Sequence, residues 1–265
     1  MPKAPINGIE LYYESHGEGP AVVFSHGRGG NHLSWWQQVA DFSSEYRCIT
    51  FDHRGWGLTA DQPNGPGPRA FADDLTALLD YLKIDQAFLV SQSMGGITNL
   101  GFTLLHPDRV LGLVLGDTTG GIGDPSVVDL LQDVHPPENS LERALSSGFM
   151  GQHPDLTVLF QQIGLLNPEM PISVVSSLFR DPNGPKASDL SNMTTPTLLI
   201  VGQEDLIFPP NVMRAAQALI PNSRLEVVPA AAHSTHFEQP EAFNRLVSEF
   251  FSGILARRAA ATAGD

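Results

Sequence analysis

The stretch AFLVSQSMGGITNL, residues 87–100, decides the fold of this 265-residue chain. Its first half, AFLVSQ, is typical of a buried strand, and its second half continues into a helical pattern that ends before Pro107. Ser93 stands at the sharp turn between them. The small residues Ser91 and Gly95 on either side would let the helix cross the strand while the Ser93 hydroxyl projects from the sheet. In the alternative interpretation this serine is only the N-cap of the helix.

Apolar runs and helical patterns alternate along the rest of the chain. The runs CITFD, VLGLVLGD and PTLLIVGQ are almost continuously apolar, as in parallel strands that are covered by helices on both faces. The opening runs GIELYYES and AVVFSH are predicted to form a hairpin that leads into the sheet. We therefore predict an α/β fold with a doubly wound, mostly parallel sheet of eight strands.

The pattern changes over residues 120–190, where short helical pieces are interrupted by Pro and Gly. A segment of this length is too long for a plain loop, and we predict that it is a helical cap inserted after strand 6. Residues 1–119 and 191–258 then form the core domain. The last residues, 259–265, are rich in small side chains, and we expect this tail to fray.

Composition excludes several classes of function. The chain has 15 Lys and Arg against 29 Asp and Glu, a formal net charge of -14, whereas nucleic-acid binding needs clustered basic residues. No apolar run reaches the roughly 18 residues of a membrane span, and the amino-terminal stretch lacks the layout of a signal peptide, so we expect a cytoplasmic protein with no membrane partner. The single cysteine, Cys48, is expected to pack in the core. The oligomeric state stays open between monomer and homodimer.

The serine turn resembles the nucleophile elbow, G-x-S-x-G, of the α/β-hydrolase superfamily, with Ser91 at the first glycine. Two later segments fit that superfamily's chain order of serine, acid and histidine. PTLLIVGQEDLIFPP carries Asp205 after a strand, and AAHSTHFEQPEAFN is similar to the signature G-H-x(4)-E-x-P, with Ala232 at the usual glycine. The resemblance implies that Ser93 is the nucleophile, His233 the base and Asp205 the acid that orients the base.

Two of these roles have competing candidates. His236 competes with His233, but the spacing to Glu238 favours His233 as the base, and His236 is then expected to pack beside the site. Asp117 also ends a strand, where some members of the superfamily carry the acid, and it is otherwise a turn residue. Two histidines without a third donor at a suitable spacing make a poor metal site, so no metal is predicted.

Two further motifs resemble the same superfamily. FSHGRGG resembles its H-G turn, which implies an oxyanion hole made by the backbone amides of Arg28 and Met94, with His26 bracing the loop. The Arg28 side chain is predicted either to meet a polar substrate group or to lie in solvent. FDHRGWGLT resembles the superfamily's D-x-R-G-x-G-x-S turn, and its charged residues, 52–54, are interpreted as architectural.

The resemblance implies a serine hydrolase that needs no cofactor. The expected substrates are carboxylic esters or lactones of small, rather apolar molecules, which are cleaved through an acyl-enzyme intermediate and selected by the cap. Two alternatives stay open. One is hydrolysis of a carbon–carbon bond in diketone-like ring-cleavage products by the same triad, and the other is a small-molecule receptor that keeps the triad for ligand binding alone.

Overall fold

A computed structural model describes residues 2–169 and 173–262. Within them, eight strands form one sheet: β1 (Lys3–Ile6), β2 (Ile9–His16), β3 (Ala21–Ser25), β4 (Arg47–Phe51), β5 (Ala87–Gln92), β6 (Val110–Gly116), β7 (Thr197–Gly202) and β8 (Ser223–Val228). Their order is β1-β2-β4-β3-β5-β6-β7-β8. Strand β2 is antiparallel to both of its neighbours, and all other pairs are parallel. This confirms the predicted mostly parallel sheet of eight strands.

The amino-terminal hairpin differs from the prediction. Strand β1, with the sequence KAPI, pairs with β2 across a tight turn at Asn7 and Gly8, whose φ angles of 44° and 75° are left-handed. Strand β2 then pairs with β4. The predicted hairpin between GIELYYES and AVVFSH is therefore wrong, because β3 is a fully buried central strand with parallel neighbours on both sides.

Helices cover both faces of the sheet, as the nearly continuous apolar strands require. The helices of the described residues are α1 (Trp36–Phe42), α2 (Phe71–Tyr81), α3 (Gly95–Leu105), α4 (Pro125–Gln132), α5 (Ser140–Ala144), α6 (Ser147–Gln152), α7 (Pro154–Leu165), α8 (Ser173–Ser176), α9 (Ala187–Leu190), α10 (Pro210–Leu219), α11 (Thr235–Glu238) and α12 (Pro240–Thr262). Leu89 of β5 packs in the core under α2, α3 and α10, whereas Phe88 and Val90 pack under α1 and α12. Cys48 is buried in this second core, where burial raises its pKa to about 12.

Helices α4 to α9 lie between β6 and β7, where the sequence predicts an insertion. They contact loops that follow the carboxyl ends of the core strands. Asn31, after β3, donates from Nδ2 to the carbonyl of Ile163 at 2.8 Å. The amide of Ser146 donates to Glu238, in the segment after β8, also at 2.8 Å. The inserted helices therefore lie against the carboxyl edge of the sheet, where open α/β sheets place their binding sites.

The carboxyl-terminal segment also differs from expectation. Helix α12 continues to Thr262, so residues 259–262 are helical where fraying is predicted. Residues 263–265 of that predicted tail, and residues 170–172 of the predicted cap, lie outside the described residues. Among the helices of the described part, none combines the length and the apolar character that crossing a membrane requires.

Candidate active site

Ser93 lies in the turn between β5 and α3. Its φ of 49° is in the left-handed region, which is strained for a residue with a side chain. A Cβ atom at Gly95 would collide with the carbonyl oxygen of Ser25, so only glycine fits there. Ser91 is tolerated at the other small position because its hydroxyl donates to the carbonyl of Val114 at 2.9 Å. The turn therefore holds the Ser93 hydroxyl in one strained position.

His233 lies between Ser93 and Asp205. Its Nε2 is 2.9 Å from Ser93 Oγ, and its Nδ1 is 2.9 Å from Asp205 Oδ2. The Ser93 hydroxyl thus contacts an imidazole. Among the described residues, no side chain caps the amino terminus of α3, so Ser93 does not serve as the N-cap of that helix. All three side chains are buried, which strengthens the interactions between them. The structure brings these three predicted residues together in the order hydroxyl, imidazole and carboxylate.

The loop after β7 fixes Asp205. Its Oδ1 accepts hydrogen bonds from the backbone amides of Ile207 at 2.7 Å and Phe208 at 3.0 Å, so that Oδ2 faces His233. Burial by itself lowers the pKa of His233, but the charge of Asp205 and the hydrogen bond to it outweigh burial, and the pKa of His233 is raised. The imidazole is therefore well placed to accept a proton, as a general base must.

Asp117, the competing candidate for the acid, has different partners. Its carboxylate accepts hydrogen bonds from the amide and hydroxyl of Thr235, at 2.9 and 2.7 Å, and from the amide of Gly202 at 3.0 Å. Burial and the negative charge of Asp205 raise the pKa of Asp117 to about 7. Asp117 therefore ties β6 to β7 and to residues 229–239, the segment after β8 that carries His233 and is called the histidine loop below. It is Asp205 that contacts the imidazole.

His236, the competing candidate for the base, packs beside the site. Its ring lies on that of Trp35, with 4.5 Å between the centroids. Burial and the charge of His233 lower the pKa of His236 to about 3, so this ring is uncharged at neutral pH. Among the described residues, no three His, Cys, Asp or Glu side chains are grouped so that they could hold a metal ion.

The loop after β3 passes close to the serine turn. A Cβ atom at Gly27 would lie 3.2 Å from Ser93 Cβ and would collide with the side chain of Gln92. The close approach of the two loops therefore requires glycine at position 27. Trp56 donates from Nε1 to the carbonyl of Arg28 at 2.8 Å and so fixes this loop. The amides of Arg28 and Met94, which the sequence predicts as oxyanion donors, therefore belong to two backbone segments that flank Ser93.

Gln92 is a residue of this site that the sequence motifs did not identify. Its Nε2 donates to the carbonyl of His233 at 2.6 Å, and its Oε1 lies against Gly27. Gln92 thereby joins the serine turn to the histidine loop and to the loop after β3. The available signal was a polar residue at the buried end of an apolar strand, since such a side chain needs a partner.

His26 and the turn after β4 form a polar network behind the loop. His26 Nδ1 lies 2.8 Å from the carbonyl of Gly27, and its Nε2 accepts a hydrogen bond from the amide of His53 at 3.0 Å. Burial lowers the pKa of His26 to about 4. Arg54 donates two hydrogen bonds of 2.6 Å to Asp74. These contacts agree with the architectural interpretation of this turn.

The strand order, the strained serine between strand and helix, and the acid and histidine on later loops together define an α/β hydrolase. The family described as alpha/beta hydrolase fold matches residues 20–240. The chain therefore belongs to this family.

Relatives of known name cover nearly the whole chain. The chain is 32% identical over 265 residues to a 2-hydroxy-6-oxononadienedioate/2-hydroxy-6-oxononatrienedioate hydrolase from Burkholderia vietnamiensis, with 91% of each protein covered. It is 30% identical over 253 residues to 3-oxoadipate enol-lactonase 2 from Acinetobacter baylyi, which covers 90% of this chain and 92% of the relative. The solved enol-lactonase from Burkholderia xenovorans LB400 superposes with a TM-score of 0.80 at 27% identity, covering 95% and 100% of the two chains. These relatives support a hydrolase, and their names describe more than one reaction.

Proposed function

We propose that this protein is a serine hydrolase that cleaves carboxylic esters or lactones of small, mainly apolar molecules through an acyl-enzyme intermediate. The supporting observation is the series of two 2.9 Å contacts that joins Ser93 Oγ, His233 and Asp205. A serine hydroxyl is a weak nucleophile by itself, and it is activated when an oriented imidazole can take its proton.

The first half of the reaction forms the acyl-enzyme. Ser93 Oγ attacks the carbonyl carbon of the substrate while His233 Nε2 takes the hydroxyl proton. Asp205 holds the proton on Nδ1 and stabilises the imidazolium that forms. The amides of Arg28 and Met94 donate to the developing oxyanion, and each such donor contributes roughly 3 kcal/mol to lowering the barrier. The imidazolium then protonates the leaving alkoxide.

The second half of the reaction releases the acid. A water molecule attacks the acyl carbon while His233 takes one of its protons, and the imidazolium returns that proton to Ser93 Oγ. With a lactone, the leaving hydroxyl stays attached to the acyl chain, so the product is a single hydroxy acid. The scheme uses only water and groups of this chain.

The inserted helices are proposed to act as the cap that selects the substrate. Aromatic side chains lie where the inserted helices meet the loops around His233, and they support the proposal that the acyl chain of the substrate is mainly apolar. The ring of Phe208 lies 5.7 Å from that of His233, and the ring of Phe179 in the insertion lies 4.8 Å from that of Phe208, centroid to centroid. Phe149 and Phe160 of the insertion also contact one aromatic ring, Phe237, of the histidine loop.

Hydrolysis of a carbon–carbon bond is the second candidate. The observation that favours it is the relative that is 32% identical, which is named for hydrolysis of an oxononadienedioate. The same hydroxyl, imidazole and carboxylate would serve both reactions, so the substrate discriminates between them. A carbon–carbon hydrolase consumes a coloured 2-hydroxy-6-oxo-dienoate much faster than simple esters.

The test uses 4-nitrophenyl acetate and butyrate with the wild-type protein and two serine variants. Ser93→Ala should lose at least roughly 10⁴-fold in kcat, since the nucleophile is removed. Ser91→Gly, which restores the glycine usual in this turn, should keep most of its activity. Equal release by wild type and Ser93→Ala would contradict the proposal. Ligand binding without turnover would instead favour a receptor.

A further inference from the structure

A row of buried hydrogen bonds runs behind the loop that carries the Arg28 amide. The hydroxyl oxygen of Thr98 in α3 lies 2.8 Å from His53 Nε2, and His53 Nδ1 lies 3.0 Å from His26 Nε2. His26 Nδ1 in turn lies 2.8 Å from the carbonyl oxygen of Gly27. Thr98, His53 and His26 are all buried, so these contacts are shielded from water. Three side chains thus connect α3 with the Gly27 carbonyl.

The direction of each hydrogen bond in the row follows from the chemistry of the partners. Burial lowers the pKa of His26 to about 4 and that of His53 well below its ordinary value, so each ring is neutral at pH 7 and carries one proton. A carbonyl oxygen can only accept, which places the proton of His26 on Nδ1. Its Nε2 therefore accepts from the amide of His53 at 3.0 Å. Because a lone pair on His53 Nδ1 would repel that of His26 Nε2, the proton of His53 is also on Nδ1, and its Nε2 accepts from the Thr98 hydroxyl.

The Gly27 carbonyl sets the direction of one proposed oxyanion donor. This carbonyl and the N–H of Arg28 belong to one planar peptide group, in which the two bonds point in opposite directions. The carbonyl oxygen also accepts from the amide of Gly30 at 3.0 Å, so two donors fix the plane. Hydrogen bonds to the carbonyl also polarise the N–H of the same peptide group. Within residues 2–169 and 173–262 the Arg28 N–H has no acceptor, so it is available to a substrate oxygen.

The other end of the row reaches the helix behind the second proposed donor. Met94 is the N-cap residue of α3, and Thr98 lies about one turn further along this helix. The ring of His53 packs on those of Phe51 and Phe71, with 4.8 and 4.4 Å between the centroids. His53 is therefore held firmly between the segments that carry the two amides, and it can fix how they lie relative to one another.

We propose that His53 is a positioning residue for the oxyanion hole, and that it acts through His26 on the peptide group between residues 27 and 28. That peptide group aims the Arg28 amide at the oxygen of the tetrahedral intermediate. This inference rests on the proposed function. A donor lowers the barrier only when it is aimed at the place of the oxygen in the intermediate, so an error in its direction lowers kcat and leaves substrate binding intact.

The first test compares two variants of His53 with 4-nitrophenyl butyrate as substrate. His53→Leu removes the donor to His26 and should lower kcat about ten- to hundred-fold with KM within about threefold of wild type, since removing a whole oxyanion donor costs roughly 10²–10³ in kcat. His53→Asn offers an amide N–H close to the place of Nδ1 and should keep kcat within about threefold. Wild-type kcat in His53→Leu would overturn the inference, and so would a His53→Asn protein as impaired as His53→Leu.

A pair of threonine variants decides the question if His53→Leu does not fold. Thr98→Val removes the hydroxyl at the start of the row and should lower kcat about three- to tenfold, as expected for loss of one neutral hydrogen bond. Thr103→Val is the matched control, because Thr103 is also buried in α3 and donates to the carbonyl of Asn99 at 2.7 Å, outside the row. This control should keep the wild-type kcat. An equal change in kcat in both valine variants would overturn the inference.

A spectroscopic measurement tests the row without turnover. In protein whose histidines are labelled with nitrogen-15, proton–nitrogen correlation spectra at pH 7 should show the proton on Nδ1 of both His26 and His53. A proton on Nε2 of His53 would overturn the inference, because the hydrogen bond from His53 Nδ1 to His26 would then be absent.

The outcomes separate this inference from the proposed function. Ser93-dependent cleavage of the butyrate ester at the wild-type rate in His53→Leu would overturn the positioning role and leave the serine hydrolase intact. A folded wild-type protein that shows both Nδ1 protons and cleaves no ester would overturn the proposed function, and the role of His53 in the reaction with it.

Discussion

The chain contains two carboxylate–imidazole pairs that look alike. In one, His233 Nδ1 lies 2.9 Å from Asp205, and in the other His32 Nδ1 lies 2.8 Å from Asp52. All four side chains are buried. Both carboxylates also accept backbone amides, so neither the distance nor the burial of a pair distinguishes a reactive centre from a structural one.

The difference lies on the other side of the imidazole. His233 presents Nε2 to the Ser93 hydroxyl, which is held on a strained turn with a φ of 49°. The ring of His32 packs on that of Tyr12, with 4.6 Å between the centroids, and its amide and Nδ1 both bind Asp52. A carboxylate–imidazole pair thus becomes a candidate for nucleophilic catalysis only when the fold adds a positioned hydroxyl.

Replacing the two histidines should give the largest contrast between the pairs. His233→Ala should lower kcat for 4-nitrophenyl butyrate by roughly 10⁴- to 10⁶-fold, because the base is lost. His32→Ala should retain kcat within about tenfold and lose about 2 kcal/mol of unfolding free energy, because a buried charged hydrogen bond is removed. Steady-state kinetics and urea unfolding of both variants measure this. A folded His32→Ala protein as inactive as His233→Ala would break the distinction.

Replacing the two carboxylates should again lower kcat in the pair that contains His233 and lower stability in the pair that contains His32, with a smaller difference in kcat than for the histidines. Asp205→Asn should reduce kcat by roughly 10⁴-fold, because an amide at this position favours the wrong tautomer of the imidazole. Asp52→Asn should chiefly lower the unfolding free energy, since Asp52 binds the amides of His32 and Leu58. Near-normal kcat for Asp205→Asn, with unchanged melting temperature, would remove Asp205 from the mechanism.

The pH profile sharpens the role of the reactive pair. The pKa of His233 is raised, and the neutral imidazole is the reactive form, so kcat/KM should rise with pH through an inflection above the ordinary value of about 6.5. The charge of Asp117 contributes to raising this pKa. Asp117→Asn should therefore move the acid limb to lower pH. If the acid limb of the kcat/KM profile has the same inflection pH in Asp117→Asn as in wild type, the charge of Asp117 does not raise the pKa of His233.

The smallest expected effect is on the free energy of unfolding at acidic pH. It distinguishes His26 and His236, whose pKa values are lowered, from His233, whose pKa is raised. Burial lowers the pKa of His26 to about 4, and burial and the charge of His233 lower that of His236 to about 3. The unfolded chain takes up these protons below about pH 6.5 and the folded protein does not. Stability is therefore lost as pH falls from about 6.5, by up to about 1.4 kcal/mol per pH unit for each ring.

His236→Leu tests this effect on one ring. Urea unfolding midpoints between pH 7.5 and 5 should fall less steeply for His236→Leu than for wild type, because one of the protons taken up on unfolding is gone. His106→Leu, on a partly exposed turn after α3, provides the control. Identical slopes for His236→Leu and wild type would show that His236 is charged in the folded protein.

The sequence predicted the central part of the fold because its signals are local. The strands around Ser93 are continuous apolar runs, and the positions of Ser91 and Gly95 follow from the steric needs of one turn. Strand β1 was missed because four residues with a proline give no usable periodicity. Residues 259–262 were expected to fray from their small side chains, yet such residues, alanine above all, are good helix formers.

The candidate site was predictable only where a motif fixes the spacing. The contact of Gln92 with His233 joins residues that are 141 positions apart, so no local pattern indicates it. The orientation of the Arg28 side chain was left open between the pocket and solvent, because it depends on residues that are distant in the sequence.

The most direct test of the central claim is covalent labelling of the protein with a fluorophosphonate, followed by peptide mass spectrometry. The account predicts that one phosphonyl group is attached to Ser93, that activity falls in proportion to labelling, and that His233→Ala labels far more slowly while His32→Ala labels at nearly the wild-type rate. Loss of activity with Ser93 unmodified, or full activity with Ser93 labelled, would contradict it.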